Sequence, residues 1–351
     1  MNKFLLHIAL LSLLTSAPAQ SPAPLTLVRT IEMPDVPIGP YSDHLAVDLK
    51  GNRLFATPQA RKSVQVFDLT SGKLLQNISG FENPHSVLYR SDLDRIYVTD
   101  GGAGQLKIFS GRDYHLIQSV KLLPDADSIG YDPATKFVYV TNGGEGAKLD
   151  YSLLSAIDTE DGKLVGELKV PAGSLEAMTL EAASPRIYID VTDKNEVAVI
   201  DRRNFTVLAT WPVTKGKRNI AMALDESHHR LFVGCRNTES SGAIVVFDTL
   251  TGKELQAMPI AGWVDYLSYD PASRRLYATC GQGPEGNGWA FVYQQVAADS
   301  YHLLGKVATA PKGKAGLFVP ELELLFVSIP HFANTPAEVL VFRNGNKQPA
   351  D

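Results

Sequence analysis

Short apolar stretches alternate with polar turns along most of the chain, from residue 25 to residue 343. In "RIYVTDGGAGQLKIF" (residues 95–109) two runs of apolar residues flank a turn rich in glycine. Related stretches occur as "RLFATPQARKSVQVFD" and "FVYVTNGGEGAKLDYSLLSAID". Runs that are short, rich in β-branched and aromatic residues, and bounded by turn residues are typical of β-strands. Beyond the N-terminal region no segment has a sustained helical period, so we predict an all-β protein.

The strand pattern repeats with a period of 42 to 49 residues. Each unit contains one aromatic residue in a second strand of the type "xYV", and this residue serves here as the anchor for counting. A period near 45 residues is that of a four-stranded propeller blade. Seven anchors therefore predict a seven-bladed β-propeller with four-stranded antiparallel blades. The anchors are Phe55, Tyr97, Tyr139, Tyr188, Phe232, Tyr277 and Phe326.

The two ends of the repeat region predict how the ring closes. After "EVLVF" (residues 338–342) the sequence offers no fourth strand, whereas "LTLVRTIEM" (residues 25–33) reads as a fourth strand without a blade before it. We expect this N-terminal strand to complete the last blade, which removes an open sheet edge that would otherwise favour aggregation. The propeller is predicted to span residues 20–345, and residues 346–351 form a C-terminal tail.

Four stretches carry a resemblance to a known family. "RIYVTDGG", "FVYVTNGG", "EVAVIDRRNFTVLATWPV" and "IVVFDTLTGKELQAM" resemble the YVTN repeat of YncE-like seven-bladed propellers, and the resemblance covers nearly the whole chain after the N-terminal region. It implies a seven-bladed propeller that is exported, and it implies no particular reaction. The last two units, with "WAFVYQQ" and "VLVFRN", depart from the pattern because they lack the aspartate that ends the third strand in most other units.

The N-terminal region has the features of a cleaved signal peptide. A lysine precedes the apolar run "LLHIALLSLLTS", and "APA" ends at Ala19. We predict a signal peptide over residues 1–19, a mature start at Gln20 and a soluble monomer in the periplasm or the extracellular space. No later segment is apolar enough to span a membrane. The formal net charge of −5 disfavours a nucleic-acid partner.

The repeat also predicts where a site lies. In a propeller the loops that enter the innermost strands converge on the mouth of the central channel. The residue twelve positions before each anchor lies in such a loop, and six of these seven residues are ionisable. These ring residues are Asp43, His85, Asp127, Glu176, Ile220, Asp265 and Lys314, with His44, Arg218 and Asn219 beside them.

Three interpretations of this ring stay open at the level of sequence. The ring is a solvated channel mouth, because loops on propeller faces are polar in any case. Alternatively it is a pocket for a divalent metal ion, with His85 and the carboxylates of Asp127, Glu176 and Asp265 as ligands. In the third interpretation Lys314 and Arg218 balance the acids or bind an anionic ligand.

Two classes of function follow. The leading one is a non-catalytic binding scaffold that presents the ionisable channel mouth to a small ligand, a metal ion or a protein partner. The alternative is a metal-dependent hydrolase, lactonase or lyase, with His85 or His44 as general base. The motifs GxSxG, HExxH and CxxC are absent from the sequence. Cys235 and Cys280 occupy equivalent positions in neighbouring units, too far apart for a disulfide, so we expect two separate thiols.

Overall fold

The computed structural model describes residues 23–283 and 285–345. Within these residues the chain forms antiparallel β-strands and four short 3-10 helices, over Gln59–Arg61, Gly144–Ala147, Thr192–Lys194 and Pro320–Leu322. The predicted signal peptide (1–19) and tail (346–351) lie outside the described residues. In the described part of the chain no helix is both long and apolar enough to cross a membrane.

The strands carry the labels β1 to β27 in chain order. They are β1 (Leu25–Glu32), β2 (Leu45–Asp48), β3 (Arg53–Ala56), β4 (Val64–Asp68), β5 (Leu74–Ile78), β6 (Pro84–Arg90), β7 (Arg95–Asp100), β8 (Gln105–Ser110), β9 (Leu116–Lys121), β10 (Ile129–Asp132), β11 (Phe137–Gly143), β12 (Ser152–Asp158), β13 (Leu164–Val170), β14 (Leu175–Leu180), β15 (Arg186–Val191), β16 (Glu196–Asp201), β17 (Thr206–Pro212), β18 (Asn219–Asp225), β19 (Arg230–Cys235), β20 (Ser241–Asp248), β21 (Glu254–Asp270), β22 (Arg275–Gln282), β23 (Trp289–Ala297), β24 (Ser300–Ala308), β25 (Ala315–Val319), β26 (Leu324–Ile329) and β27 (Glu338–Asn344).

These strands form five sheets of four strands and one sheet of seven strands. Four sheets follow the chain directly, namely β2–β5, β6–β9, β10–β13 and β14–β17. The fifth four-stranded sheet has the order β1-β27-β26-β25. The described strands thus confirm the predicted all-β class and the antiparallel four-stranded unit, an arrangement consistent with a β-propeller.

The N-terminal strand pairs with the last strand of the chain. The register runs from Leu25 opposite Asn344 to Glu32 opposite Glu338, and Leu25 and Ile31 are fully buried. This is the pairing that the missing fourth strand near the C-terminus predicts. The strand therefore supplies main-chain hydrogen bonds and apolar side chains to a sheet that begins almost 300 residues further along the chain.

The seven-stranded sheet, β18–β24, differs from the expected pair of separate units. Strand β21 is 17 residues long; its first half pairs with β20 and its second half with β22. No polar turn interrupts this stretch, so the chain continues extended from one unit into the next. The bend falls at Trp263, whose φ of 59° lies in the left-handed region, next to Gly262, which packs against the backbone of Glu239.

The aromatic anchors form the core between neighbouring sheets. All seven are fully buried, because each lies on the second strand of its unit and faces the adjacent sheet. The Tyr277 ring stacks on Phe318 of the next sheet with a centroid distance of 4.2 Å. The Phe232 ring contacts Tyr269 and Tyr301 at 5.6 Å and 5.5 Å. Removing a buried aromatic ring of this kind costs about 3–5 kcal/mol.

The aspartate that ends many third strands has a local structural role. Its carboxylate accepts a backbone N–H two or three residues further on, which closes the turn into the fourth strand. This contact occurs at Asp68, Asp158, Asp201 and Asp248.

The first strand of each unit lies on the inside of the assembly. Contacts run from β2 to β6, from β6 to β10, and onward through β14, β18, the second half of β21 and β25. Strand β25 in turn contacts β2. The loops that lead into these strands therefore come together at one end, and this is where the predicted ring residues lie.

Candidate functional site

The seven predicted ring residues line one cavity of about 260 Å³ at the entrance to the first strands. His85, Glu176, Ile220 and Asp265 lie within the first strands of their units, and the other three lie one or two residues before them. Counting twelve positions back from each anchor therefore identified side chains that share one cavity. Tyr41, His44, Gln59, Asp125, Ser128, Ala177 and Arg236 complete the lining.

Threonines of the repeated "YVT" motif hold several ring residues by their backbone. The Thr57 hydroxyl donates to the carbonyl oxygen of His85 at 2.9 Å, and the Thr99 hydroxyl donates to that of Asp127 at 2.7 Å. Thr279 makes the same contact with Lys314. In each case the acceptor belongs to the next unit, so the threonine fixes the position of a ring residue across the boundary between two units.

Asp43, His85 and Asp127 form a connected group on one side of the cavity. The His85 Nδ1 atom lies 3.1 Å from a carboxylate oxygen of Asp43 and 3.5 Å from one of Asp127. Gln59 donates to the same Asp43 carboxylate at 2.9 Å. The other ring nitrogen, Nε2, lies 2.8 Å from the amide of Asn83, which fixes the orientation of the imidazole.

The charges of this group shift its pKa values. Burial alone would lower the pKa of His85, but the carboxylates of Asp127 and Asp43 outweigh it and raise the pKa to about 10. Burial alone would raise the pKa of Asp43, but His44, His85 and Lys314 hold it well below its usual range. His44 itself lies 3.4 Å from Asp43. The imidazole therefore carries a proton between two carboxylates.

Glu176 has no cation of its own next to it. Ser174 donates to its carboxylate at 3.0 Å, and no ion pair of Glu176 occurs among the described residues. Burial, together with the negative charges of Asp127 and Asp265, raises its pKa to about 8. Burial is also the main cause of the raised pKa of Asp127. The side of the cavity around Asp127 and Glu176 thus holds carboxyl groups that lack a full positive counter-charge.

The opposite side of the cavity is basic. Asp265 accepts from Nη2 of Arg236 with one carboxylate oxygen and from Nζ of Lys314 with the other. Burial alone would lower the pKa of Lys314, but Asp265 and Asp43 raise it. Asp265, predicted as a metal ligand together with Asp127, Glu176 and His85, is therefore paired with two cations instead.

Several lining residues lie outside the count of twelve. Tyr41 and Asp125 are fourteen positions before their anchors, as are Asn83 and Ser174, which contact the ring residues His85 and Glu176. A second count, fourteen positions before each anchor, would have identified these four residues from the sequence.

Gln59 and Arg236 follow their anchors by four positions. The equivalent position in another unit is Gly101, where a Cβ would lie 2.9 Å from the His85 ring. The absence of a side chain at Gly101 leaves room for the imidazole. Of the described loop residues after the second strands, only Arg236 and Gln59 line the cavity.

Arg218 and Asn219, predicted beside the ring, do not line the cavity. Asn219 is fully buried and donates its amide to Asp190 at 2.6 Å and to the Glu196 carbonyl. Arg218 is exposed, with a left-handed φ of 53° and its backbone N–H bonded to Asn195. Cys235 and Cys280 are unpaired and buried, which agrees with two separate thiols.

Asp43, His85 and Asp127 together have the ligand set for a metal ion. One nitrogen or oxygen atom from each lies within 4.8 Å of the other two. Two carboxylates and an imidazole suit divalent ions such as Mn²⁺ and Zn²⁺. Asn83 against the second ring nitrogen is the kind of contact that orients a ligating histidine. The residues present therefore fit a divalent cation.

The comparisons with known proteins reach the fold alone. A solved structure described as the crystal structure of the mitotic checkpoint complex matches with a TM-score of 0.72 and 14% identity, over 98% of this chain and 99% of that one. The hydrazine synthase of Kuenenia stuttgartiensis matches with a TM-score of 0.72 and 15% identity, over 87% and 96%. Both neighbours are propeller-type folds. No protein-family model and no curated protein matches the chain.

Proposed function

We propose that this chain is a seven-bladed propeller of the YVTN-repeat kind, exported by a signal peptide and closed by its N-terminal strand. Seven aromatic anchors, the row of contacts between first strands and the pairing of β1 with β27 support this architecture. Protein exported by its native host should begin at Gln20, and N-terminal sequencing that finds Met1 would contradict export by cleavage.

Ring closure is tested by deleting residues 20–33 from the mature protein. The deletion removes the whole of β1 with its buried Leu25 and Ile31, and it exposes an edge of β27. The free energy of unfolding should fall by several kcal/mol, on the order of 25 cal/mol for each Å² of apolar surface lost. Denaturant unfolding that is the same for the two proteins would show that β1 does not close the ring.

As its function we propose the binding of a divalent cation at the channel mouth, by a non-catalytic scaffold. The observation that carries this proposal is the group Asp43, His85 and Asp127, whose ligand atoms lie within 4.8 Å of one another. Two more carboxyl groups, those of Asp125 and Glu176, line the same cavity, and a bound cation would favour their ionised forms. Three protein ligands leave further coordination positions of the cation open to water or to a ligand.

The competing explanation is a network of side chains without a ligand, in which protonated His85 alone bridges the two carboxylates. Calorimetric titration of chelator-treated protein with Mn²⁺ and with Zn²⁺ separates the two. We expect one cation per chain, and an affinity on the order of 100-fold weaker in Asp127→Asn.

Asp125→Asn is the matched control. It removes one carboxylate charge from the same cavity but from outside the group, so its effect should stay below about 10-fold. Absence of any cation binding to the native protein would refute the proposed function. Equal losses in the two variants would mean that only the overall charge of the cavity attracts the cation.

A metal-dependent hydrolase or lactonase is the second function. The observation that favours it is the position of Glu176 and Asp125, carboxyl groups that line the same cavity outside the group of three. A carboxylate beside a cation-bound water can act as a general base. Cation-dependent hydrolysis of small lactones, lost in Glu176→Gln with cation affinity retained, would support it over a scaffold.

A further inference from the structure

We propose that the cavity binds a small carboxylate anion, which reaches from the bound cation to Arg236 and Lys314. This inference rests on the proposed function, because the cation supplies one end of the anion's site. It adds the chemical class of the ligand, and it draws on the basic side of the cavity, which the cation group does not use.

The basic side has a surplus positive charge. Arg236 and Lys314 both pair with Asp265, so two cations share one carboxylate. Their side chains are only 13% and 11% exposed, and both line the cavity. A second carboxylate in this position would give each cation a full counter-charge, and a partly buried charge pair of this kind is less screened than one at the surface.

Hydrogen-bond donors remain available there. Among the described residues Nε of Arg236 donates to the Val264 carbonyl and Nη2 donates to Asp265, whereas Nη1 has no hydrogen-bond partner. Lys314 uses one of its three N–H donors, on Asp265. The free Nη1 of Arg236 and the remaining N–H donors of Lys314 can donate to the oxygens of a carboxylate.

Aromatic side chains restrict where these cations can lie. The Nζ atom of Lys314 lies 5.5 Å from the centroid of the Tyr41 ring. The Arg236 guanidinium lies 5.8 Å from that of Trp263, and the Nζ atom of Lys312 lies over the same Trp263 ring at 3.7 Å. Donors that packing holds in place lose little conformational entropy when they bind an anion.

The two sides of the cavity are close enough to share one ligand. Asp43, His85 and Asp127 of the cation group line the same cavity as Arg236 and Lys314. The cavity volume is about 260 Å³. Pockets for drug-sized ligands have volumes of about 300 Å³ or more, so this cavity suits a smaller ligand. A small dicarboxylate matches this size, with one carboxylate on the cation and the other on Arg236 and Lys314.

The test uses malate as the probe, in two titrations of the mature protein. The first adds Mn²⁺ alone and measures the cation affinity. The second adds malate to protein saturated with Mn²⁺ and, separately, to protein in chelator. We expect malate to bind at least about 10-fold more tightly with the cation present, since one of its carboxylates then completes the cation's coordination.

Arg236→Gln should weaken malate binding by about 10- to 100-fold, the equivalent of a lost hydrogen bond to a charged group, and change the Mn²⁺ affinity by less than about 10-fold, because Arg236 lies outside the cation group. Arg236→Lys should recover part of the loss. Arg218→Gln is the control, because Arg218 is a neighbouring arginine that does not line the cavity. Its malate affinity should equal that of the native protein.

The outcomes separate the two proposals. Failure to bind Mn²⁺ refutes the proposed function and this inference with it. Binding of Mn²⁺ without binding of malate, or equal malate affinity in Arg236→Gln and native protein, refutes only the inference. Tighter binding of inorganic phosphate than of malate also refutes it, because the anion would then be a phosphate.

Discussion

Two sets of repeat positions, the anchors in the second strands and the ring residues in the first strands, behave in opposite ways. All seven anchors are aromatic and fully buried between neighbouring sheets. The seven ring residues include carboxylates, an imidazole, an ammonium group and an isoleucine, and they line one cavity. Packing between sheets accepts one shape at each anchor, so the chemistry repeats. The cavity sets no such limit, so its residues can differ from unit to unit, and a site of low symmetry results.

Within the ring, the same contrast appears between backbone and side chain. The backbone of ring residues is held by a repeated contact, from Thr57, Thr99 and Thr279 to the carbonyl of the next unit. The side chains then form pairs that no repeat rule describes. A common scaffold can thus support a single asymmetric group, and mutations in the two sets of positions should have separable effects.

The largest effect is expected at an anchor. Phe232→Ala removes a ring that contacts Tyr269 and Tyr301, and it should lower the free energy of unfolding by about 3–5 kcal/mol while the Mn²⁺ affinity of the folded protein stays the same. Denaturant unfolding and calorimetry measure the two quantities. Leu208→Ala is the control, since Leu208 is 55% exposed and should change stability by less than about 0.5 kcal/mol.

A change in cation affinity in Phe232→Ala as large as that in Asp127→Asn would contradict the comparison. It would mean that packing between sheets and the geometry of the mouth are not independent.

The next effect concerns the dependence of stability on pH. The folded-state pKa of Glu176 is raised to about 8 from its usual value near 4.5. Between these values the folded protein binds more protons than the unfolded chain, so this group makes stability fall as pH rises. The slope is at most about 1.4 kcal/mol per pH unit, and the contribution is lost once the pH passes about 8.

Glu176→Gln should remove this slope. Denaturant unfolding in the presence of a chelator, from pH 5 to pH 7.5, measures the free energy of unfolding of both proteins. The value for the variant should rise relative to that of the native protein as pH rises. Glu167→Gln, on β13, is the control for loss of a carboxyl group away from the cavity, because Glu167 is not among its lining residues. A constant difference between the native protein and Glu176→Gln over this range would mean that Glu176 is ionised already at pH 5.

The sequence was sufficient to predict the repeated four-stranded unit, because the period and the strand pattern follow from the local order of apolar and turn residues. The count of twelve from each anchor was also sufficient to bring Asp43, His85 and Asp127 together, since equivalent positions in repeated units lie at equivalent places. Counting along the chain predicts which residues line the same cavity. It gives neither the reach of a side chain nor its partner.

The sequence did not predict which side chains form ion pairs or hydrogen bonds with one another. Asp265 was predicted as a metal ligand, but Arg236, from a loop in the preceding unit, reaches it together with Lys314. Asn219 was predicted at the mouth, but its amide is bonded to the buried Asp190, which stands where other units have the threonine of "YVT". Both outcomes depend on long side chains and buried polar pairs between units, and these require the three-dimensional arrangement.

The smallest effect is expected where the two sets of positions meet, at Thr99. Its hydroxyl donates to the Asp127 carbonyl at 2.7 Å and is the link between an anchor strand and the ring. Thr99→Val keeps the shape but leaves this buried carbonyl without that donor, so stability should fall by about 1–2 kcal/mol. The Mn²⁺ affinity should fall by up to about 10-fold, because Asp127 loses a contact that orients it. Thr206→Val, at an exposed position, should change neither quantity. If Thr99→Val lowers stability but leaves the cation affinity unchanged, the threonine only joins two units, and the geometry of the mouth is held by the side-chain pairs alone.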